Sequence, residues 1–233
     1  MSEFPIVFEN EEIIIIYKPY GCAVQGGAGV RHSLDEALSL QVGYRIHLVH
    51  RLDKETSGLL VVAKSPRAAA KWTGLIGGGS VVKEYMCVSV GHAPGRSGTI
   101  TGTVSAHGKE RSASLHYTEL AAADVPSPDA GTIPLSLLGV TLGTGRMHQI
   151  RIQMAGSGMP VAGDDRHGDF RANKALRRLG IRKLCLAAVR LTVPVDGGRR
   201  VFEAPLPGHM EAVVRDYFSA REITPPPAIT PSM

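Results

Sequence analysis

The densest group of residues able to do chemistry is His50-Arg51-Leu52-Asp53-Lys54-Glu55-Thr56-Ser57-Gly58, which runs straight into the apolar Leu59-Leu60-Val61-Val62-Ala63. Asp53 is the residue to explain. His50, Arg51 and Lys54 surround it in sequence, and an opposite charge within a few ångströms keeps a carboxylate ionised, lowering its pKa by roughly 1–3 units. A fixed, ionised carboxylate serves as a nucleophile or an electrostatic stabiliser, not as an acid. The competing reading is a surface turn whose charges pair with one another before a strand.

A second candidate is Arg151. The segment Met147–Met154 lies between Gly143-Thr144-Gly145 and Gly156-Ser157-Gly158-Met159-Pro160, bounds that suit a short helix. On such a helix Met147, Ile150 and Met154 form an apolar stripe and Arg151 falls inside it, so its guanidinium is partly buried. A buried charge needs a partner. Asp53 is the candidate, with both carboxylate oxygens held by a bidentate arginine. The alternative has Arg151 snorkelling to solvent along its alkyl stem.

Positioning these groups falls to a predominantly β chain. Strands are expected over Glu12–Tyr17, Leu59–Lys64, Val81–Val90, Gly98–Val104, Ser112–Leu120, Leu135–Leu142, Leu184–Val193 and Arg200–Ala204, mostly rich in β-branched residues or alternating, with Gly and Pro as boundaries. Several connections are too short for crossover helices, so much of the sheet is antiparallel. Helices fall between: Ser33-Leu34-Asp35-Glu36 reads as a capping box, and Ser65-Pro66 as the cap and first-turn proline of a helix through Trp72 to Ile76. Phe170–Leu179 stops at Gly180, and His209–Phe218 supplies a last amphipathic helix. The expected fold is α+β, a mixed, largely antiparallel sheet flanked by helices, with a central cleft. Residues 1–221 form one domain, and a proline-rich tail occupies 222–233.

Bulk properties narrow the classes. The chain has 233 residues, 43% of them hydrophobic, enough to bury a sizeable core. Its net charge of +5 suits a polyanionic partner such as nucleic acid. Cys22, Cys87 and Cys185 are far apart and odd in number, which argues against a disulfide framework or a zinc site. No leader pattern and no apolar run of about 18 residues is present, so a cytoplasmic protein without membrane association is expected. Gly26-Gly27-Ala28-Gly29 and Gly77-Gly78-Gly79 lack the Lys-Ser/Thr ending of a nucleotide loop, and His47 and His50 have no third metal ligand nearby.

The Asp53 segment resembles the signature of the RluA-type pseudouridine synthases, whose aspartate is catalytic. Four other segments follow in that family's order. Tyr17-Lys18-Pro19-Tyr20-Gly21 resembles its opening strand and Lys-Pro-x-Gly turn, and Lys83-Glu84-Tyr85 its Lys-x-Tyr element. Gly145-Arg146-Met147-His148-Gln149-Ile150-Arg151 resembles its Gly-Arg-x-His-Gln-Ile-Arg segment, and Gly163-Asp164-Asp165-Arg166-His167-Gly168-Asp169 its Gly-Asp-x-x-x-Gly turn. The resemblance runs over roughly residues 6 to 218. It departs at Ala187, where many relatives carry histidine, and a catalytic domain without the N-terminal RNA-binding domain of some relatives is expected.

The resemblance implies isomerisation of uridine to pseudouridine in RNA by a monomeric enzyme. The bond from the ribose anomeric carbon to the base nitrogen breaks, the uracil turns, and a ring carbon rejoins the sugar. No redox change occurs, so no cofactor and no metal is required. Catalytic roles fall to Asp53, Tyr85 and Arg151, with Asp53 at the anomeric carbon as in glycosidase chemistry and Tyr85 against the base. His50, Arg51, Thr56, Arg146, His148 and Gln149 are assigned to RNA and substrate binding, Arg51 filling the stack vacated by the extruded base. The preferred substrate is 23S ribosomal RNA, with transfer RNA next. The cations Arg171, Lys174, Arg177, Arg178, Arg182 and Lys183, with Arg199 and Arg200, could track an RNA backbone. Two other readings use the same residues: a nucleoside or glycoside hydrolase pairing Asp53 with Asp164 or Asp165, and a non-catalytic RNA-binding protein.

Overall fold

Four consecutive isoleucines explain the centre of the sheet. In this computed structural model, which describes residues 3–27, 32–106, 109–128 and 131–218, β2 (Ile13–Lys18) lies between β1 (Ile6–Glu9) and β4 (Ser57–Ala63), antiparallel to both. Ile14 and Ile16 face one apolar cluster, Ile13 and Ile15 another, and all four are fully buried. β4 repeats the pattern, with Leu60 and Val62 on the first side and Leu59 and Val61 on the other. A strand covered on both faces reads as an unbroken apolar run, and each such side chain contributes about 1.5–3 kcal/mol by burial.

The remaining strands are β3 (His47–Leu48), β5 (Val82–Val90), β6 (Ser97–Ala106), β7 (Lys109–Ser127), β8 (Gly131–Leu142), β9 (Leu186–Val195) and β10 (Gly198–Glu203). The order is β1-β2-β4-β9-β5-β8-β7-β6, with β10 on β9 and β3 on β4. Every pairing is antiparallel except β4 with β9. The mixed, largely antiparallel α+β architecture is therefore as the sequence indicates. The parallel junction is short, Ser57–Gly58 against Ala187–Ala188, and β10 takes over the same edge of β9 further on. Gly58 is required there. Its φ is +116°, and a Cβ would sit 2.0 Å from the carbonyl oxygen of Ala188.

Five helices complete the described chain: α1 (Leu34–Val42), α2 (Pro66–Gly77), α3 (Gln149–Gly156), α4 (Phe170–Arg178) and α5 (Gly208–Tyr217). Ser65 caps α2 as expected, its hydroxyl accepting from the Ala68 N–H. The capping box at α1 does not form, because Ser33 makes no side-chain cap bond and its buried hydroxyl has no partner among the described residues. α3 starts two residues later than expected, leaving Met147 outside the helix and 38% exposed, so the apolar stripe reduces to Ile150 and Met154.

Three strand features escaped the sequence. β1 exposes Ile6 and Val7 on an edge, and β3 is only two residues long. β7 and β8 run past Pro126 and Pro134, which read as boundaries. A bulge at Glu119/Ala121 keeps the two in register, and Pro134 lies beyond the last β5 partner, Leu135, where its missing N–H breaks no ladder. The tail assigned to 222–233 lies outside the described residues, and no helix among them is long and apolar enough to cross a membrane.

Replacing Gly58 with alanine combines overpacking against backbone with an unfavourable φ, each worth about 1–3 kcal/mol. G58A should lower unfolding free energy by about 3 kcal/mol in urea titration, and a loss under about 1 kcal/mol would show that the β4–β9 junction yields.

Candidate active site

The loop between β3 and β4 sorts its side chains by chemistry. Val49 and Leu52 are buried in two different cores, so the backbone between them is pinned and Arg51 and Asp53 point the other way. Lys18, at the end of β2, holds the loop from beneath. Its fully buried ammonium donates to the carbonyls of Pro19, Cys22 and Lys54 at 3.1, 2.8 and 3.1 Å, and the Gly21 N–H reaches Lys54 O at 2.9 Å. Burial pulls the Lys18 pKa down to about 8, against the opposing pull of Cys22 and Asp53.

All nine residues assigned a role from the sequence line one cavity of about 320 Å³. Asp53 is 17% exposed, Tyr85 rises from β5 on the cavity side, and the segment into α3 brings Arg146, His148, Gln149 and Arg151. Thr73, Ile76 and Gly77 of α2 close another wall, a contribution the sequence did not signal. Among the described residues no group of three or more His, Cys, Asp or Glu side chains is placed to hold a metal ion.

The pairing of Arg151 differs from expectation. Its guanidinium, 3% exposed, donates through Nε and Nη2 to the two oxygens of Asp164, both at 2.7 Å. Asp53 is reached only by Nη1, at 3.4 Å, and Glu55 lies 3.7 Å from Nη2. The bidentate partner is thus Asp164, which follows the β-bridge residue Val161 rather than sitting in the Asp53 loop. Asp164 also accepts from the N–H groups of Arg166 and His167 at 2.9 and 3.0 Å. Burial alone would raise its pKa, but those bonds and the arginine hold it below the usual carboxylate range.

Several assigned residues do something else. His50 is a neutral acceptor, not a cation beside Asp53: its Nε2 receives the Val61 N–H at 3.0 Å. Burial, with the nearby Lys83 charge, lowers its pKa to about 3. Gln149 is buried with its amide engaged inside the protein, Oε1 accepting from Thr144 and the Arg146 N–H, Nε2 donating to Ser114 O and Gln153. It ties α3 to β7 and shapes the Gly143–Arg146 wall. Thr56 is buried, and its hydroxyl has no partner among the described residues. Ala187 packs with the core behind β9, on the face opposite the cavity-lining Leu186, so a side chain at position 187 does not face this cavity.

His148 precedes α3 with φ of +53° and places Nε2 3.8 Å from Asp53 Oδ1. Its Nδ1 is 2.9 Å from His167 Nε2, a partner the sequence did not suggest. Asp53 favours the His148 tautomer protonated at Nε2, which makes His167 the donor to Nδ1. Burial lowers the pKa of both imidazoles. Burial, then the Asp53 charge, pushes the Tyr85 phenol far up, so it stays protonated and serves as a hydrogen-bond or proton donor.

The two-carboxylate hydrolase reading does not fit these contacts. Asp164 is ionised and saturated by Arg151 and backbone, and Asp165 lies on the surface paired with Arg177. The cationic run also divides: Arg199 bonds Ser80 O and Arg200 stacks on Phe8 and Phe202, both on β10 rather than on α4.

Comparison with known proteins gives one answer. A family model described as RNA pseudouridylate synthase matches residues 12–156. Ribosomal large subunit pseudouridine synthase C of Haemophilus influenzae is 33% identical over 231 residues, covering 91% of this chain and 68% of that protein. The protein of the same name from Vibrio cholerae is 32% identical, covering 90% and 68%. Among solved structures, Human RNA Pseudouridylate Synthase Domain Containing 4 superposes with a TM-score of 0.71 at 23% identity, covering 91% of this chain and 92% of that one, a likeness of fold.

Removing the charge of Asp164 strands a buried guanidinium, which costs about 3–5 kcal/mol. D164N should lose about that much in urea titration, whereas a loss below about 1 kcal/mol would mean that Asp53 suffices to hold Arg151. His50 gives a pH signature. Its folded pKa of about 3 lies below the unfolded value near 6.5, so as pH falls below 6.5 the unfolded state takes up the proton first and stability drops. Between pH 6.5 and 5 the expected loss is about 2 kcal/mol. H50Q, which keeps an acceptor for the Val61 N–H but does not titrate, should flatten that slope, and an unchanged slope would assign it to other groups.

Proposed function

The chain belongs to the RNA pseudouridylate synthase family, and from that premise we propose that it isomerises uridine in RNA of the large ribosomal subunit, with Asp53 as the nucleophile. The observation that carries the assignment is the convergence of Asp53, Tyr85 and Arg151, from three distant parts of the chain, on one cavity. Asp53 keeps oxygen lone pairs directed into that cavity while Arg151 supports its charge. Such a carboxylate can add to the anomeric carbon as the bond to the base nitrogen breaks, the electron pair leaving with uracil. Rejoining through the ring carbon expels the carboxylate, and loss of the ring-carbon proton completes the isomer. Tyr85, held protonated, orients the base and donates a hydrogen bond to it.

The substrate assignment rests on relatives whose names specify the large subunit. Arg51 is exposed at the cavity mouth, where it fits the stack left by an extruded base. His148 and Arg146 line the entrance on the other side. Residues 1–221 act as one catalytic domain, monomeric and cytoplasmic, where ribosomal RNA is modified. His50, Thr56 and Gln149 support the cavity walls rather than touching RNA.

The test is pseudouridine mapping by carbodiimide-dependent reverse-transcription stops in total RNA from cells lacking the gene, complemented with wild type or D53N. A stop in large-subunit RNA should vanish on deletion and return only with wild type. A stop lost from transfer RNA instead would move the substrate, and rescue by D53N would remove the nucleophile assignment.

A further inference from the structure

Lys83 is a cation without a partner. Its side chain on β5 is 6% exposed, yet its ammonium has no hydrogen-bond acceptor and no carboxylate among the described residues. It does have a like charge, Arg146, which with burial lowers its pKa. Burial of most of the side chain makes the charge costly and a neighbouring guanidinium raises that cost, while the ammonium opens on the cavity. Lys83 nonetheless lines the same cavity as Asp53 and sits two residues from Tyr85 on the same strand face.

The opposite wall is built to leave the ammonium open. A Cβ at residue 145 would lie 3.2 Å from Lys83 Nζ, and glycine there keeps the approach clear. The next residue, Arg146, has its backbone N–H fixed by Gln149 Oε1 at 3.0 Å and its Nε by Ser112 O at 3.3 Å. Its two terminal nitrogens have no partner among the described residues. Two cations thus face one gap, lysine with three rotatable donors and arginine with a planar fork, and neither pairs with Asp53, the acid among the cavity's described lining residues.

We propose that Lys83 and Arg146 form an oxyanion subsite that binds a backbone phosphate of the nucleotide entering the cavity. This rests on the RNA-modifying reading above. Phosphate oxygens supply acceptors for both groups and cancel the repulsion between them, which a neutral base cannot do. The ligand also accounts for why an otherwise costly charge is retained. Lys83 acts here in binding, separate from the chemistry at Asp53.

Steady-state kinetics and RNA binding by anisotropy test the subsite. K83M should lower kcat/KM about tenfold, through KM, the loss of one charge-assisted contact. The slope of log Kd against log salt should fall by roughly 0.7–0.9, one phosphate contact, and K83R should recover most of both. With wild type, uridine 5′-monophosphate should compete better than uridine, and that preference should shrink in K83M. Unchanged KM and salt slope would overturn the proposal and leave Lys83 satisfied by water. A fall in kcat at constant KM would also overturn it, placing the charge on departing uracil instead. Should K83M fail to fold, equal inhibition of wild type by the nucleotide and the nucleoside is sufficient to reject the subsite. Binding arms run with D53N need no turnover, so an inactive wild type would count against the isomerase reading and leave the phosphate subsite open to judgement on its own.

Discussion

The cavity depends on the pairing of Arg151 with Asp164. Two opposite charges withdrawn from water recover their hydration only when the geometry is good and every remaining donor and acceptor is used. Here Nε and Nη2 match both carboxylate oxygens, and two backbone N–H groups complete the carboxylate. The pair ties α3 to the 163–168 turn, and Asn173 of α4 clamps that turn from behind, accepting from the Gly163 N–H and donating to Asp164 O, both at 2.9 Å. Glycine is needed twice in the turn, since a Cβ would stand 2.1 Å from Lys183 O at residue 163 and 2.3 Å from Asp164 O at residue 168. With two of its nitrogens so fixed, Arg151 presents Nη1 to the cavity in one direction only.

That constraint determines what kind of carboxylate Asp53 is. A bidentate arginine would have occupied both oxygens and left neither open to the cavity. Instead Asp53 meets Nη1 at 3.4 Å and His148 at 3.8 Å, distances at which charge is supported and lone pairs stay available. The other titratable groups of the cavity are complementary. Tyr85 is kept protonated by burial, and His50 is kept neutral by burial and by accepting a backbone N–H. Among the described residues lining the cavity, the charges without a partner are cationic, which is the balance a polyanion requires.

What the sequence disclosed follows from what kind of interaction was involved. The meeting of Asp53, Tyr85 and Arg151 at one cavity was legible because each stands in a short motif beside a strand or helix whose periodicity is strong. The β2 and β4 strands were legible because double burial writes an apolar run. The partner of Arg151 was not, since pattern alone shows that an arginine is buried and cannot say which of several carboxylates the fold brings to it. Asp164 stood in a recognised turn but looked like a substrate-side acid. Gln149 shows the reverse error. It stands two residues from Arg151 in the same motif, yet its polarity serves the link between α3 and β7. Ser33 failed as a cap because local capping competes with tertiary placement, and β7 and β8 outran Pro126 and Pro134 because these fall where no third strand pairs.

The shape of the cavity bears on how substrate must arrive. A space of about 320 Å³, walled by the Asp53 loop, β5, α2 and the segment leading into α3, accommodates one nucleotide and not a base-paired stack. A uridine within a helix reaches Asp53 only by leaving that helix, and the unstacking costs a few kcal/mol that contacts outside the cavity must offset. Arg51 is exposed beside Asp53 without a protein partner among the described residues, held at the mouth because Val49 and Leu52 on either side are anchored in separate cores. Arg51 and Asp53 therefore share a single pinned loop. Displacing that loop would move Arg51 and Asp53 together, which makes the packing of Val49 and Leu52 as much a part of the site as the charges it displays.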